Sequence, residues 1–384
     1  MLNKLHDGAA RSLRVALLVI VPAFMIGGCG GDNPTAPLTP GPQTLEEELS
    51  GILASAVGPK TPGVTLRVLG DGIDISLAAG VASLATQEQL TTAHRFHAAS
   101  VGKSFIGVAF ARLSVAGQLD PGRPLSTWLP AEITGRIPLS DQITARMLLQ
   151  HTSGIVDVLN EMHDAIIEIE LNPTREWSNV DLVQFALDKP LNFAPGSAYR
   201  YSNTNYMLLA LILEKVTGET HAQALRDLVF DPIGMTSTTT ANHDANLGAI
   251  TRAHMFEGDD HDDLTDVLLR WEFGSGGQWT TVDDLARFLH TVGETDLILD
   301  DAGRALLLTP SAHQAYGFGM GFTDTPGGLM LHHQGLLLGS ASYMSYFPER
   351  RLSVTMNVNA AAHDDDGVMI ADKLFLQVMV AINE

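Results

Sequence analysis

A single cysteine, Cys29, stands among 384 residues, so no intrachain disulfide can staple this chain. Basic residues are scarce. Twenty-three Lys and Arg face 44 Asp and Glu, and the resulting net charge of −21 disfavours nucleic acid and anionic lipid surfaces as partners. Charged residues of either sign amount to 17% against 45% hydrophobic, which excludes a disordered chain and is enough to build a large core. The apolar run from Val15 to Ile26 falls short of the roughly 20 residues that a membrane-spanning helix needs. Metal-binding spacing is missing as well. There is no H-E-x-x-H, His94, His97, His332 and His333 follow no ligand pattern, and the acidic stretch Glu257 to Asp266 lacks the glycine and glutamate of a calcium loop and reads as a solvated loop. No metal and no cofactor are expected.

What is present begins with Lys4, Arg11 and Arg14 ahead of that apolar run, followed by Ile26-Gly27-Gly28-Cys29. Residues 1–28 read as a signal peptide, and the small residues before a lone cysteine resemble the bacterial lipobox. That implies cleavage before Cys29, its lipidation, and a protein anchored to the cell envelope facing the periplasm or exterior, at the outer membrane if the host is Gram-negative. Residues 29–44, with prolines and no apolar periodicity, form a tether. The folded domain is expected over residues 45–384.

Thr44 followed by Glu47 makes a capping box for a helix from Leu45 to Val57. Gly63–Leu69 and Ile73–Ala78 alternate as strands around Gly70-Asp71-Gly72, a hairpin. From about residue 125 to 288 helical periods dominate, broken by Pro and Gly, and Val180–Leu187, Tyr206–Val216 and Val282–Val292 are the clearest. Strands return at Gly328–His332, Ala341–Phe347 and Leu352–Val358. A last helix spans Val368–Ile382, with Asp364, Asp365 and Asp366 at its favourable dipole end. The order predicts an α+β fold: one antiparallel sheet completed by both ends of the chain and flanked by helices, with a mainly helical inserted lobe and a cleft between them.

At the passage from sheet to lobe stands Ser100-Val101-Gly102-Lys103, at the head of a helix that Gly117 terminates. Spacing i, i+3 puts hydroxyl and amine on one face, and the positive end of the helix favours charge developing on the serine. A phosphate-binding loop is excluded, because its first glycine is replaced by His97. Two further segments follow: Tyr201-Ser202-Asn203, a Y-x-N, and His333-Gln334-Gly335, an H-x-G. Supporting words are Leu148 to Gly154, Glu214 to Gly218, Pro232 to Met235 and Gly276-Gly277.

In this order the motifs resemble the serine penicillin-recognising hydrolases: class C β-lactamases, D-alanyl-D-alanine carboxypeptidases and β-lactamase-like esterases. The resemblance implies a β-lactamase/transpeptidase-like fold and a covalent acyl-enzyme on an amide or ester, with β-lactam, D-alanyl peptide and short-chain ester left open. By resemblance Ser100 is the nucleophile, Lys103 its base and Tyr201 the proton carrier. Asn203 orients Lys103 and binds substrate, and the N–H groups of Ser100 and Leu336, beside Gly335, form the oxyanion hole. His333 stands where many relatives carry lysine, so it is expected to contact substrate and to change charge near pH 6.5. The expected partner is a small or peptidic substrate, peptidoglycan-derived ones included. The alternative from another class is a non-catalytic envelope-binding lipoprotein on the same fold.

Overall fold

The computed structural model describes residues 44–383 except 173, 241–246 and 272, so the expected signal peptide and Cys29 lie outside the described residues. Helix α1 spans Leu45–Ala56. Its capping box is closed: the Thr44 hydroxyl accepts from the Glu47 N–H at 3.2 Å and the Glu47 carboxylate accepts from the Thr44 N–H at 2.9 Å. Strands β1 (Gly63–Gly70) and β2 (Ile73–Gly80) pair as the expected hairpin. Helix α2 (Gly102–Val115) follows the Ser100 turn, and α3 (Asn203–Thr217) and α4 (Val282–Glu294) come later.

The chain then returns to the sheet through β3 (Gly321–Thr325), β4 (Gly328–Leu337), β5 (Ser340–Phe347) and β6 (Leu352–Val358), and closes with α5 (Ile370–Asn383). The sheet order is β2-β1-β6-β5-β4-β3, antiparallel throughout, with Val64 opposite Val358 where the two ends of the chain meet. Along β6 the residues Leu352, Val354, Met356 and Val358 enter one apolar cluster with Leu49 and Leu53 of α1 and Leu374, Phe375 and Val378 of α5. The alternate residues are polar but not solvated. The Thr355 hydroxyl donates to the Val282 carbonyl at 2.8 Å, tying α4 to the opposite face, where Arg67 of β1 also pairs with Asp283 at 2.9 Å. Period-2 polarity therefore marks a second buried layer here rather than a wet face.

Four local expectations are refined. Strand β4 does not stop at His332 but runs ten residues through His333 and Gly335, and β3, with Phe322 as its only large apolar residue, was not foreseen. The stretch 179–187 is α-helical only over Asn179–Val183 and tightens to a 3₁₀ turn at Gln184–Ala186. The acidic stretch is a hairpin, His254–Glu257 paired with Asp260–Asp263 around Gly258 at φ 65°, whose exposed carboxylates tolerate a strand because it lies at the surface. Asp364 does not begin α5. It accepts the N–H groups of Asp366 and Val368 in the preceding turn, leaving Asp372 in the first turn of the helix. Among the described residues no helix is long and apolar enough to cross a membrane.

Candidate active site

Ser100 lies in a 3₁₀ turn, Ala99–Val101, that runs straight into α2. Ala99 holds a φ of 48°, a conformation unfavourable for any residue with a Cβ, so the turn must be held from outside. Three contacts hold it. The Ala99 N–H donates to His97 Nδ1 at 3.2 Å, the Ala98 N–H to the Gln278 carbonyl at 2.8 Å, and the Ser342 hydroxyl to the Ala98 carbonyl at 2.6 Å. Two glycines admit these neighbours. A Cβ on Gly335 would stand 2.4 Å from the Ala98 carbonyl oxygen, and one on Gly276, at φ 147°, would stand 2.0 Å from that of Ala99. The glycine of H-x-G thus lets strand β4 lie directly against the serine turn.

Lys103 is fully buried in the first turn of α2. Its Nζ lies 3.1 Å from Ser100 Oγ, 2.9 Å from Asn203 Oδ1 and 2.7 Å from the Ser275 carbonyl oxygen. The last two atoms can only accept. A neutral amine has two hydrogens, and spending them there leaves its lone pair facing the one partner able to donate, Ser100. Burial pulls the Lys103 pKa down to about 7, with the Asp157 carboxylate opposing the shift. The neutral form is therefore well populated at neutral pH.

Tyr201 reaches the same oxygen from a loop ending at the N-terminus of α3, its hydroxyl donating to Ser100 Oγ at 2.9 Å. Burial pushes its pKa well above 10, so it is a protonated phenol at neutral pH. His151 supports this loop. Its Nδ1 accepts the Ser202 N–H at 3.2 Å and its ring lies 4.3 Å from that of Tyr201, centroid to centroid. Asn203, the first residue of α3, presents its oxygen to Lys103 and its nitrogen to Asp157.

His333 departs from expectation. It is buried, with Nδ1 2.6 Å from its neighbour Gln334's carbonyl oxygen and Nε2 3.0 Å from the Tyr316 hydroxyl. The carbonyl requires the proton on Nδ1, which in the neutral ring leaves Nε2 to accept from tyrosine. Burial first, then the field of Lys103, lowers its pKa to about 3, so it does not titrate near pH 6.5. Strand β3 pairs with β4 only as far as His332, opposite Gly321, so β3 leaves the outer edge of residues 333–337 uncovered. Leu336 and Leu337, together with Leu159, Asn160 and Phe273, line the small cleft onto which Ser100 opens.

Tyr201, Ser100, Lys103 and Asn203 are thus joined in one chain of hydrogen bonds, Gly335 and Leu336 adjoin them, and His333 bonds to Tyr316 rather than to Ser100. Asp157, Tyr316 and the Ser275 carbonyl were missed. Only Asp157 carried a signal, as an acid set inside the apolar run Ile155-Val156-Asp157-Val158-Leu159. Among the described residues no cluster of His, Cys, Asp and Glu is arranged to hold a metal ion.

Residues 48–378 match the family described as Beta-lactamase. Penicillin-binding protein 4* of Bacillus subtilis (strain 168) is 26% identical over 314 residues, which cover 75% of this chain and 66% of the relative. D-aminopeptidase of Gluconobacter oxydans (strain 621H) is 27% identical over 331 residues, 82% of this chain and 58% of the relative. The chain accordingly spans less than two thirds of the length of these curated relatives. The D-amino acid amidase of Ochrobactrum anthropi SV3, solved with D-phenylalanine, superposes with a TM-score of 0.76 at 23% identity, covering 88% of this chain and 99% of that one, a likeness of fold.

Proposed function

This chain belongs to the Beta-lactamase family, and from that premise we propose that it is a serine hydrolase which cleaves an amide through a covalent acyl-enzyme on Ser100. The observation that carries the reading is the set of partners around Lys103 Nζ, two obligate acceptors and the Ser100 hydroxyl. Neutral Lys103 takes the proton from Ser100 Oγ as that oxygen bonds to the substrate carbonyl carbon. The carbonyl π electrons move onto its oxygen, which the N–H groups of Ser100 and Leu336 are assigned to receive. As the tetrahedral intermediate collapses, the C–N bond breaks and the leaving nitrogen takes the Tyr201 phenol proton, and the Lys103 ammonium gives the proton it took from Ser100 to the phenolate, so that both groups are restored. Water then attacks the ester by the same route reversed in role, releasing acid and free serine.

Relatives named penicillin-binding protein and D-aminopeptidase support small peptidic amides as the substrate class. Peptidoglycan-derived peptides are the source an envelope protein would meet, and β-lactams and short-chain esters are further acyl donors to the same serine. The test is labelling with a fluorophosphonate and with penicillin, read by intact mass. Wild type should gain one adduct and Ser100→Ala none, with hydrolysis of D-amino acid amides lost in parallel. Equal hydrolysis by the two proteins sinks the reading.

We place the protein on the envelope through a lipid on Cys29, a reading supported by the basic start, the apolar run and the small residues before that cysteine. Cys29→Ser should move the protein out of the membrane fraction while leaving catalysis intact. Unchanged partitioning with an uncleaved N-terminus would refute lipidation.

A further inference from the structure

Behind the Ser100, Lys103 and Tyr201 group lies a carboxylate to which no step above assigns a role. Asp157 is 1% exposed. Its described partners are all donors: Asn203 Nδ2 at 3.0 and 3.3 Å to its two oxygens, Asn160 Nδ2 at 2.7 Å and the Leu159 N–H at 3.0 Å. None of them offers a place for a carboxyl proton, so the donor set fits the ionised form although burial raises the group's pKa. The segment that carries it is itself tied to the start of α3. The Val156 carbonyl accepts from the Ser202 and Thr204 hydroxyls, and the Val158 N–H donates to Thr204 Oγ1 at 2.9 Å.

An amide has two ends, and a flipped Asn203 would point its NH₂ at the hydrogens of Lys103. With Asp157 taking the nitrogen, only Oδ1 can face the amine. We propose that Asp157 is a positioning residue: it fixes the Asn203 amide in the orientation that draws a hydrogen of Lys103 away from Ser100 and so aims the amine lone pair at the serine hydroxyl. This rests on the reading of Lys103 as the base. The same segment continues into Leu159 and Asn160 at the cleft, so one short strap joins the substrate wall to the proton acceptor.

Charge gives the proposal a readout that packing alone would not. Among the described residues the other titratable groups around Lys103 are Tyr201 and Tyr206, whose rings lie 4.9 and 5.6 Å from Nζ, and His151 and His333. Burial keeps both phenols protonated and both imidazoles uncharged at neutral pH, leaving Asp157, among the described residues, as the anion that favours the Lys103 ammonium. The experiment is the pH dependence of fluorophosphonate labelling and of amide hydrolysis in the full-length protein, for wild type, Asp157→Asn and Ser100→Ala. Asp157→Asn should lower kcat at least about tenfold at pH 8 with KM changed much less. It should also move the acid limb of kcat/KM down by about one pH unit, because the protonated amine loses its counter-charge. Should Asp157→Asn not fold, Asp157→Ser removes the same charge and leaves room for water to take the freed donors. A wild-type labelling rate with an unmoved acid limb overturns the proposal, whereas Ser100→Ala labelling like wild type overturns the acyl-enzyme reading beneath it.

Discussion

Lys103 should make kcat/KM rise with pH along a single limb whose position and height both follow from the site. With its pKa pulled down to about 7, the amine is about one-tenth neutral at pH 6 and about nine-tenths neutral at pH 8, a rise of about tenfold that then levels off. A lysine left at its ordinary value would instead give about a hundredfold over the same interval and keep climbing past pH 9. Neither His333, lowered to about 3, nor His151, lowered well below its usual value, adds a second limb in this range. The assay is initial rate on a chromogenic amide without a titrating group, at substrate well below KM, from pH 5.5 to 9.5, with Ser100→Ala as blank. Lys103→Arg cannot deprotonate and should lose at least about a thousandfold with no acid limb. A profile still rising tenfold per unit above pH 9, or an arginine variant keeping a tenth of the rate, would refute the reasoning. Stability follows the same sign. Between about pH 7 and 10.5 the unfolded chain binds a proton that folded Lys103 does not, so the cost of burying this group is present in full below pH 7 and relieved as pH rises.

Gly335→Ala should lower activity by tenfold or more and stability by about 1–3 kcal/mol, because its Cβ would press on the Ala98 carbonyl and on Ala99, as thermal melting and labelling at Ser100 would register. His333→Lys places an amine that holds a proton more firmly than the neutral imidazole, and should improve carboxylate-bearing substrates over neutral esters by about tenfold or more. The same substrate ratio in His333→Lys and His333→Ala would remove residue 333 from the binding surface. Acid should unfold the domain early: His97 and His333 are lowered to about 3, and His254 and His332 to about 4. All four are neutral when folded but take a proton when unfolded below about pH 6.5, so stability falls progressively as the solution is made more acid. Circular dichroism should therefore show unfolding between about pH 6 and 4, and a native spectrum at pH 4 would contradict this burial.

Much of the frame was legible because its causes are local. The capping box of Thr44 and Glu47 needs four residues, the hairpin over Gly70-Asp71-Gly72 needs two short strands, and the pairing of β5 with β6 turns on Pro348 to Arg350. The i, i+3 relation of Ser100 and Lys103 is likewise a property of any helical turn. Strand β3 had no such signature. Its segment has little apolar content and is held by partners on β4, including His332, which meets the Thr323 hydroxyl at 2.9 Å. The end of β4 was hidden for a related reason. Histidine, glutamine and glycine make a poor strand by propensity, and Gly335 is present because another segment of backbone lies against it.

By itself, then, the sequence determined the order of elements, the apolar faces that sheet and helices bury, and the presence of hydroxyl, amine, phenol and amide in two short motifs. Tertiary structure alone decided which charges these groups carry. Lysine, tyrosine and histidine have fixed chemistry in water, but their proton affinities here follow from desolvation and from neighbours far away in the chain: Asn203 and Ser275 around Lys103, Tyr316 on His333, Asp157 behind Asn203. Spacing along the chain can bring an amine to a serine, whereas only burial among those particular partners makes that amine a base.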